Sequence, residues 1–173
     1  MRKMNLKDYI RNIPDFPKPG ILFRDITTLL KNKLAFKFAV NKLAAKFKNK
    51  KIDAVVAVEA RGFILGGSLA HKLGAGFVPV RKIGKLPYKT NSVTYDLEYG
   101  TDTLEMHHDA IKAQDRVLIV DDLLATGGTV KAVTDLVKQL QGKIVGIAFL
   151  IELTDLKGKE KLKGYPIYSL IKY

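Results

Sequence analysis

Val117-Leu118-Ile119-Val120-Asp121-Asp122-Leu123-Leu124-Ala125-Thr126-Gly127-Gly128-Thr129 is the stretch whose reading decides the fold. Four branched apolar residues in a row read as a buried parallel strand. Asp121 and Asp122 close that strand, a short loop with paired glycines follows, and a helix begins. Open α/β sheets place phosphorylated ligands at such a junction, where a strand's carboxyl end opens onto a helix N-terminus. Gly127 and Gly128 let backbone N–H groups come close to a phosphate, and Thr126 and Thr129 add hydroxyl donors. The two carboxylates would repel that phosphate, so they need another partner: ribose hydroxyls, a magnesium ion, or both. A phosphate cradle beside a diol clamp points to a phosphorylated sugar.

Two other phosphate-binding motifs are excluded. A nucleoside-triphosphate P-loop needs a lysine directly before the Ser/Thr that follows its last glycine. Here Gly128 precedes Thr129, and the nearest lysine, Lys131, already lies in the helix. The dinucleotide fingerprint needs three glycines at wider spacing than Gly127-Gly128.

Outward from this segment, strands and helices alternate. Ile52 to Val58 reads as an apolar strand, followed by a helix over roughly 62–72 and a strand from Gly76 to Val80. Phe36, Val40, Leu43 and Phe47 recur at helical spacing and mark an amphipathic helix upstream. Residues 5–12 read as a short helix closed before Pro14, and Pro14, Pro17, Pro19 and Gly20 as an extended lead-in. Residues 81–92, rich in Lys, Gly, Pro, Thr and Asn without periodicity, read as a mobile loop. Val93, Tyr95 and Leu97 alternate with polar residues, and a second strand near 103–107 would complete a hairpin. Val130, Val133, Val137 and Leu140 form the buried stripe of the helix after Thr129. Ile144 to Ile151 and Ile167 to Ile171 are the last strands. The alternation implies an α/β fold with a central, mainly parallel sheet and helices on both faces. No repeat, low-complexity segment or linker interrupts it, so residues 1–173 read as one domain.

Composition narrows the function classes. A chain of 173 residues, 47% hydrophobic and 27% charged, has the balance of a globular domain with a substantial core. There is no cysteine, which removes disulfides and thiolate metal sites and fits a reducing cytoplasm. Met1-Arg2-Lys3 begins like a signal peptide, but no apolar core follows. The longest apolar run, Ile144 to Ile151, is far short of the roughly 20 residues a membrane helix needs. The net charge of +13 invites a nucleic-acid partner, yet only six of the 30 basic residues are arginine, the residue that base and phosphate recognition favours. Solvated surface lysine accounts for the charge, so neither nucleic acid nor membrane is expected as a partner. His107 and His108 point different ways along a strand, and with His71 distant a protein-built zinc site is not expected.

The segment 117–129 resembles the 5-phospho-α-D-ribose 1-diphosphate (PRPP) motif of the phosphoribosyltransferases, in the form found in their adenine-using branch. Further segments agree, in the family's order: Phe16 to Thr27, Val58 to Phe63, Pro79 to Lys82 with Gly84 to Pro87, Tyr95 to Gly100, and Ile151 to Thr154. The resemblance covers nearly the whole chain. It implies the type I phosphoribosyltransferase fold, with a small hood over the site to which residues 1 to about 33 contribute, and a flexible hairpin or loop beside it. It further implies purine salvage, in which adenine and PRPP give AMP and diphosphate with Mg2+, in a cytoplasmic homodimer. The same reaction on hypoxanthine, guanine or xanthine, and a non-catalytic PRPP-sensing regulator, remain as alternatives.

The family motifs assign roles to residues. Asp121, Asp122, Ala125, Thr126, Gly127, Gly128 and Thr129 bind the ribose and its phosphate. Arg61 sits in a Glu-Ala-Arg-Gly turn at a strand's carboxyl end, where its planar fork suits a diphosphate; the alternative is a structural ion pair with Glu59. In the family this turn has an unusual backbone, expected here at Glu59-Ala60. Arg81 and Lys85 reach the diphosphate from their loop, in the same or the neighbouring subunit. Glu98 acts as general acid/base on the purine N9, and Tyr99 lies near it. Phe23 and Leu153 sandwich the base, while backbone groups of Leu22 and Arg24 read its amine edge. Magnesium is held mainly by PRPP, with Asp121 and Asp122 as its protein carboxylates. Two departures from the family stand away from the chemistry: Lys112-Ala113-Gln114-Asp115 replaces a Pro-Gly turn, and His108 replaces a common lysine.

Overall fold

A computed structural model describes residues 4–96 and 100–173. The chain divides into two compact units, Met1–Lys42 and Leu43–Tyr173. In the first, the helix expected over 5–12 is a single 3-10 turn, Leu6–Tyr9, capped by the Asn5 side chain. The chain then extends into β1 (Arg11–Ile13), which pairs antiparallel with β2 (Phe23–Asp25). The intervening Pro-rich segment is closed by its own hydrogen bonds. Gly20 N–H donates to the Asp15 carboxylate at 2.7 Å and Phe16 N–H to the Ile21 carbonyl at 3.2 Å. Next come α1 (Thr27–Lys31) and α2 (Lys33–Phe47), the latter ending in the second unit. Asp25 receives both the N–H and the hydroxyl of Thr27 where α1 begins.

The second unit contains, in order, β3 (Ala54–Val58), α3 (Arg61–Leu73), β4 (Gly76–Lys82), β5 (Thr90–Asp96), β6 (Thr101–His107), β7 (Arg116–Leu124), α4 (Gly128–Gln139), β8 (Lys143–Glu152) and β9 (Ile167–Lys172). The strands form one sheet in the order β5-β6-β4-β3-β7-β8-β9. β4, β3, β7, β8 and β9 are parallel, and the β5–β6 hairpin adds antiparallel at one edge. This is the expected α/β sheet. Every residue of β3 is buried, as a strand covered on both faces requires. Alternate residues of β3 face opposite sides. Val56 joins Val130, Val133 and Val137 of α4 in one apolar cluster, whereas Ala57 lies under Gly66 of α3. The two helices therefore cover opposite faces.

This connectivity creates a switch point. From β3 the chain crosses over α3 to β4 on one side, while β7, the neighbour on the other side, leads into α4 on the other face. The carboxyl ends of β3 and β7 thus open into a crevice between diverging connections, where open α/β sheets bind ligands.

Two expected boundaries move. β7 does not stop at Asp121 but runs through Leu124, because β8 continues beside it to the pair Leu124–Glu152. The segment 81–92 is not a loop throughout: Arg81 and Lys82 complete β4, Thr90 opens β5, and both pair with β6. Only residues 83–89 connect them.

Candidate active site

The PRPP-like segment forms the floor of the crevice. Because β7 extends to Leu124, the turn into α4 has only three residues, Ala125, Thr126 and Gly127. Gly127 caps the helix with φ of 82°, a left-handed conformation that favours glycine. Among the described residues no side chain caps α4, and the first-turn N–H groups of a helix are natural donors to an anion. Asp121, Leu123, Leu124 and the segment 125–130 line a pocket of ≈ 70 Å³. Thr129 Oγ1 lies 3.4 Å from the Tyr95 hydroxyl of β5.

The two adjacent aspartates are differentiated. Asp122 forms an ion pair with Arg61, its Oδ2 2.5 Å from Nε. Arg61 is the first residue of α3, so the neighbouring carboxyl ends of β3 and β7 bring this pair together. The ion pair considered for Arg61 with Glu59 is not the one formed; Glu59 takes Arg81. Asp121 is turned inward, with Oδ1 accepting the Asp122 N–H at 2.9 Å. Burial, and then the neighbouring Asp122 carboxylate, push the Asp121 carboxyl well above the usual carboxylate range. Burial thus sets Asp121 apart from Asp122, which is held by a cation.

The Glu59–Ala60 peptide is cis, the unusual backbone expected there. Glu59 accepts from Arg81 Nε at 3.1 Å, from Arg81 Nη2 at 2.9 Å and from Lys82 N–H at 2.7 Å. Burial raises the Glu59 carboxyl, but these hydrogen bonds and the charges of Arg81 and Lys85 bring it below its ordinary value. Arg81 Nη1 donates to the Lys85 carbonyl at 3.2 Å. Arg81 is therefore engaged along its guanidinium edge, while the Lys85 side chain is exposed.

On the base side, Leu153 follows β8 half-buried, its N–H donating to the Leu124 carbonyl at 2.9 Å. This bond ties it to the segment that carries the phosphate turn. Leu22, Phe23 and Arg24 belong to the first unit. There Phe23 packs edge-on against Phe16 with ring centroids 5.1 Å apart, Arg24 donates to Asn12, and Leu22 is exposed. Glu98 and Tyr99 lie outside the described residues.

Sequence reasoning missed two elements of this region. Gly158 packs beneath the phosphate turn: a Cβ there would collide with the Ala125 carbonyl and approach Leu124 Cδ1 to 2.9 Å. The neighbouring Lys159 forms an ion pair of 2.8 Å with Glu152 at the end of β8. The second element is Glu105, 4% exposed on β6. The one signal for it was a glutamate set between Leu104 and Met106 in an apolar stretch. Among the described residues no three His, Cys, Asp or Glu side chains gather into a metal cage. Asp121 and Asp122 offer carboxylate oxygens, the donor type that a hard cation takes.

Comparison with known proteins agrees with this architecture. Residues 27–172 match the model of the phosphoribosyl transferase domain family. The adenine phosphoribosyltransferase of Brachyspira hyodysenteriae is 61% identical over 170 residues, covering 98% of this chain and all of that protein. The crystal structure of adenine phosphoribosyltransferase from Thermoanaerobacter pseudethanolicus, 56% identical, superposes with a TM-score of 0.94 over 97% of this chain and 98% of its own. That of the Saccharomyces cerevisiae enzyme, complexed with an imino-altritol bisphosphate and adenine, is 43% identical with a TM-score of 0.90, covering 95% of this chain and 96% of its own. With the fold, the phosphate turn and these likenesses in agreement, the chain belongs to the phosphoribosyltransferase family, in its adenine phosphoribosyltransferase branch.

Proposed function

We infer that this protein transfers the phosphoribosyl group of PRPP to adenine, giving AMP and diphosphate. The observation that carries the reading is the crevice itself: the N-terminus of α4 with Gly127 at its mouth, just beyond β7, and the Arg61–Asp122 pair joining the neighbouring ends of β3 and β7. Ala125, Thr126, Gly127, Gly128 and Thr129 take the 5-phosphate. Asp122 and Asp121 face the ribose hydroxyls. Arg61 and Lys85 hold the diphosphate, and Arg81 adds charge while bracing the Lys85 carbonyl. Leu22, Phe23, Arg24 and Leu153 receive adenine.

Diphosphate leaves C1 of the ribose as the adenine N9 attacks, through a state with oxocarbenium character. Glu98 accepts the N9 proton. The cationic groups stabilise charge developing on the leaving diphosphate, and water that would hydrolyse the sugar is excluded from the site. Magnesium, with Asp121 and Asp122 as its protein carboxylates, would neutralise further charge on the diphosphate. The protein works as a cytoplasmic homodimer, with residues 1 to about 33 contributing to a hood over the base. Among the described residues no helix is long and apolar enough to cross a membrane.

The test is nucleotide formation from PRPP, magnesium and each purine in competition. Adenine is expected to be consumed first. Preference for hypoxanthine, guanine or xanthine would overturn the base assignment, and PRPP binding without turnover would favour a regulator. In the same assay Glu98→Gln is expected to lower kcat by about 100-fold or more with little change in PRPP binding; unchanged turnover would remove Glu98 from the mechanism.

A further inference from the structure

Glu105 is a buried carboxylate in mid-strand, and among the described residues it makes no ion pair. Burying such a group is costly unless hydrogen bonds replace its water. Its bonds go neither to its own strand nor to the apolar core. Oε1 accepts the N–H groups of Lys85 at 3.1 Å and Leu86 at 3.0 Å, and Oε2 lies 3.3 Å from the Thr90 hydroxyl. Lys85 and Leu86 belong to the connection between β4 and β5, and Thr90 is the first residue of β5. Leu104 and Met106 on either side point to the opposite face of the sheet, into the apolar core.

The Lys85 peptide is therefore held from both sides. Its N–H is bound by Glu105, and its carbonyl accepts from Arg81, which Glu59 holds in turn. Gly84, at φ of 77°, supplies the left-handed turn before it. With the backbone anchored, the exposed ammonium swings from a defined root rather than from a wandering loop. Anchoring of this kind lowers the ordering cost of gripping an anion.

We propose that Glu105 is a positioning residue for the diphosphate: it anchors the backbone of Lys85 and Leu86 and thereby presents the Lys85 side chain to the leaving group. The proposal rests on the reading of Lys85 as a diphosphate ligand, and the experiment separates the two. KM for PRPP and for adenine, kcat and Tm are measured for the wild type, Lys85→Ala, Glu105→Ala, Glu105→Asp, Glu105→Gln and the double variant Lys85→Ala/Glu105→Ala.

Glu105→Ala is expected to raise KM for PRPP by about tenfold, with KM for adenine nearly unchanged. Glu105→Asp withdraws the acceptor by one methylene and is expected to act in the same direction; it carries the test should the alanine variant fail to fold. Glu105→Gln keeps an oxygen that can accept both N–H groups and is expected to stay within about threefold of the wild type. In the Lys85→Ala background, the Glu105→Ala effect on KM for PRPP is expected to disappear, because residues acting as a unit are not additive. An equal rise in both KM values, full additivity with Lys85→Ala, or an unchanged KM for PRPP in Glu105→Asp would overturn the proposal. An unchanged KM for PRPP in Lys85→Ala would instead overturn the role of Lys85 itself, and the proposal with it.

Discussion

Arg61 and Asp122 are 61 positions apart in sequence, yet they meet because β3 and β7 are neighbours whose carboxyl ends lie level. The Arg61 side chain is 45% exposed while Asp122 is buried, so losing Arg61 altogether would leave a buried carboxylate unpaired. A guanidinium has five N–H donors, so it can keep one bond while making another. A different ion pair at the same end of the sheet has a measurable signature in pH. Burial raises the Glu152 carboxyl, but the Lys159 ammonium, 2.8 Å away, outweighs burial and holds it below its ordinary value. A depressed carboxyl contributes stability above its unfolded pKa and loses it as pH falls through the folded one. At pH 7 the wild type is expected to melt above Glu152→Gln. That gap is expected to close as pH drops below about 4; thermal unfolding of both proteins between pH 3 and 7 checks it.

The phosphate turn owes its shape to elements on either side of it. β8 keeps β7 extended through Leu124, which leaves three residues to reverse the chain. From below, Gly158 fits against the Ala125 carbonyl with no room for a side chain. Gly158→Ala is expected to cost about 1–3 kcal/mol of stability by overpacking and to raise KM for PRPP while sparing KM for adenine. Calorimetry with steady-state kinetics tests both, and an unchanged KM for PRPP would show that the turn does not depend on this support. The segment 81–92 is the counterexample to local reading. Its Lys, Gly, Pro and Asn content describes a loop, yet both ends are strand because β6 pairs with Arg81 and Lys82 on one side and with Thr90 to Asp96 on the other. Composition carries no record of that pairing. Residues 112–115 also replace the expected Pro-Gly turn with a workable substitute: Gln114 takes a φ of 69° and the Asp115 carboxylate accepts the Lys112 N–H.

Across the whole molecule, a net charge of +13 on 173 residues sets up a field that draws in a polyanion. Association of PRPP is expected to weaken as salt screens that field over a Debye length of about 10 Å at 0.1 M. The kcat/KM for PRPP is expected to fall several-fold between low salt and about 0.5 M, while KM for neutral adenine stays nearly constant. A parallel loss for both substrates would point to general destabilisation rather than steering. The succession of strands and helices over residues 52–151, apart from the strand ends within 81–92, and the glycine turn between β7 and α4 were legible, because alternating apolar runs and glycine placement are local properties. The family motifs also placed Arg61, Asp121, Asp122, Lys85 and Leu153 among the candidate site residues. Partnership was not legible. Which cation holds Asp122, which carboxylate anchors Lys85 and what supports the turn from below depend on strand order and register, and those are settled by non-local pairing. Sequence by itself determined the α/β class and the phosphate-binding segment. Only the tertiary structure decided that Gly158 and Arg61 pack or pair against it and that Glu105 holds the Lys85 backbone, because burial and hydrogen bonding join residues that the chain keeps far apart.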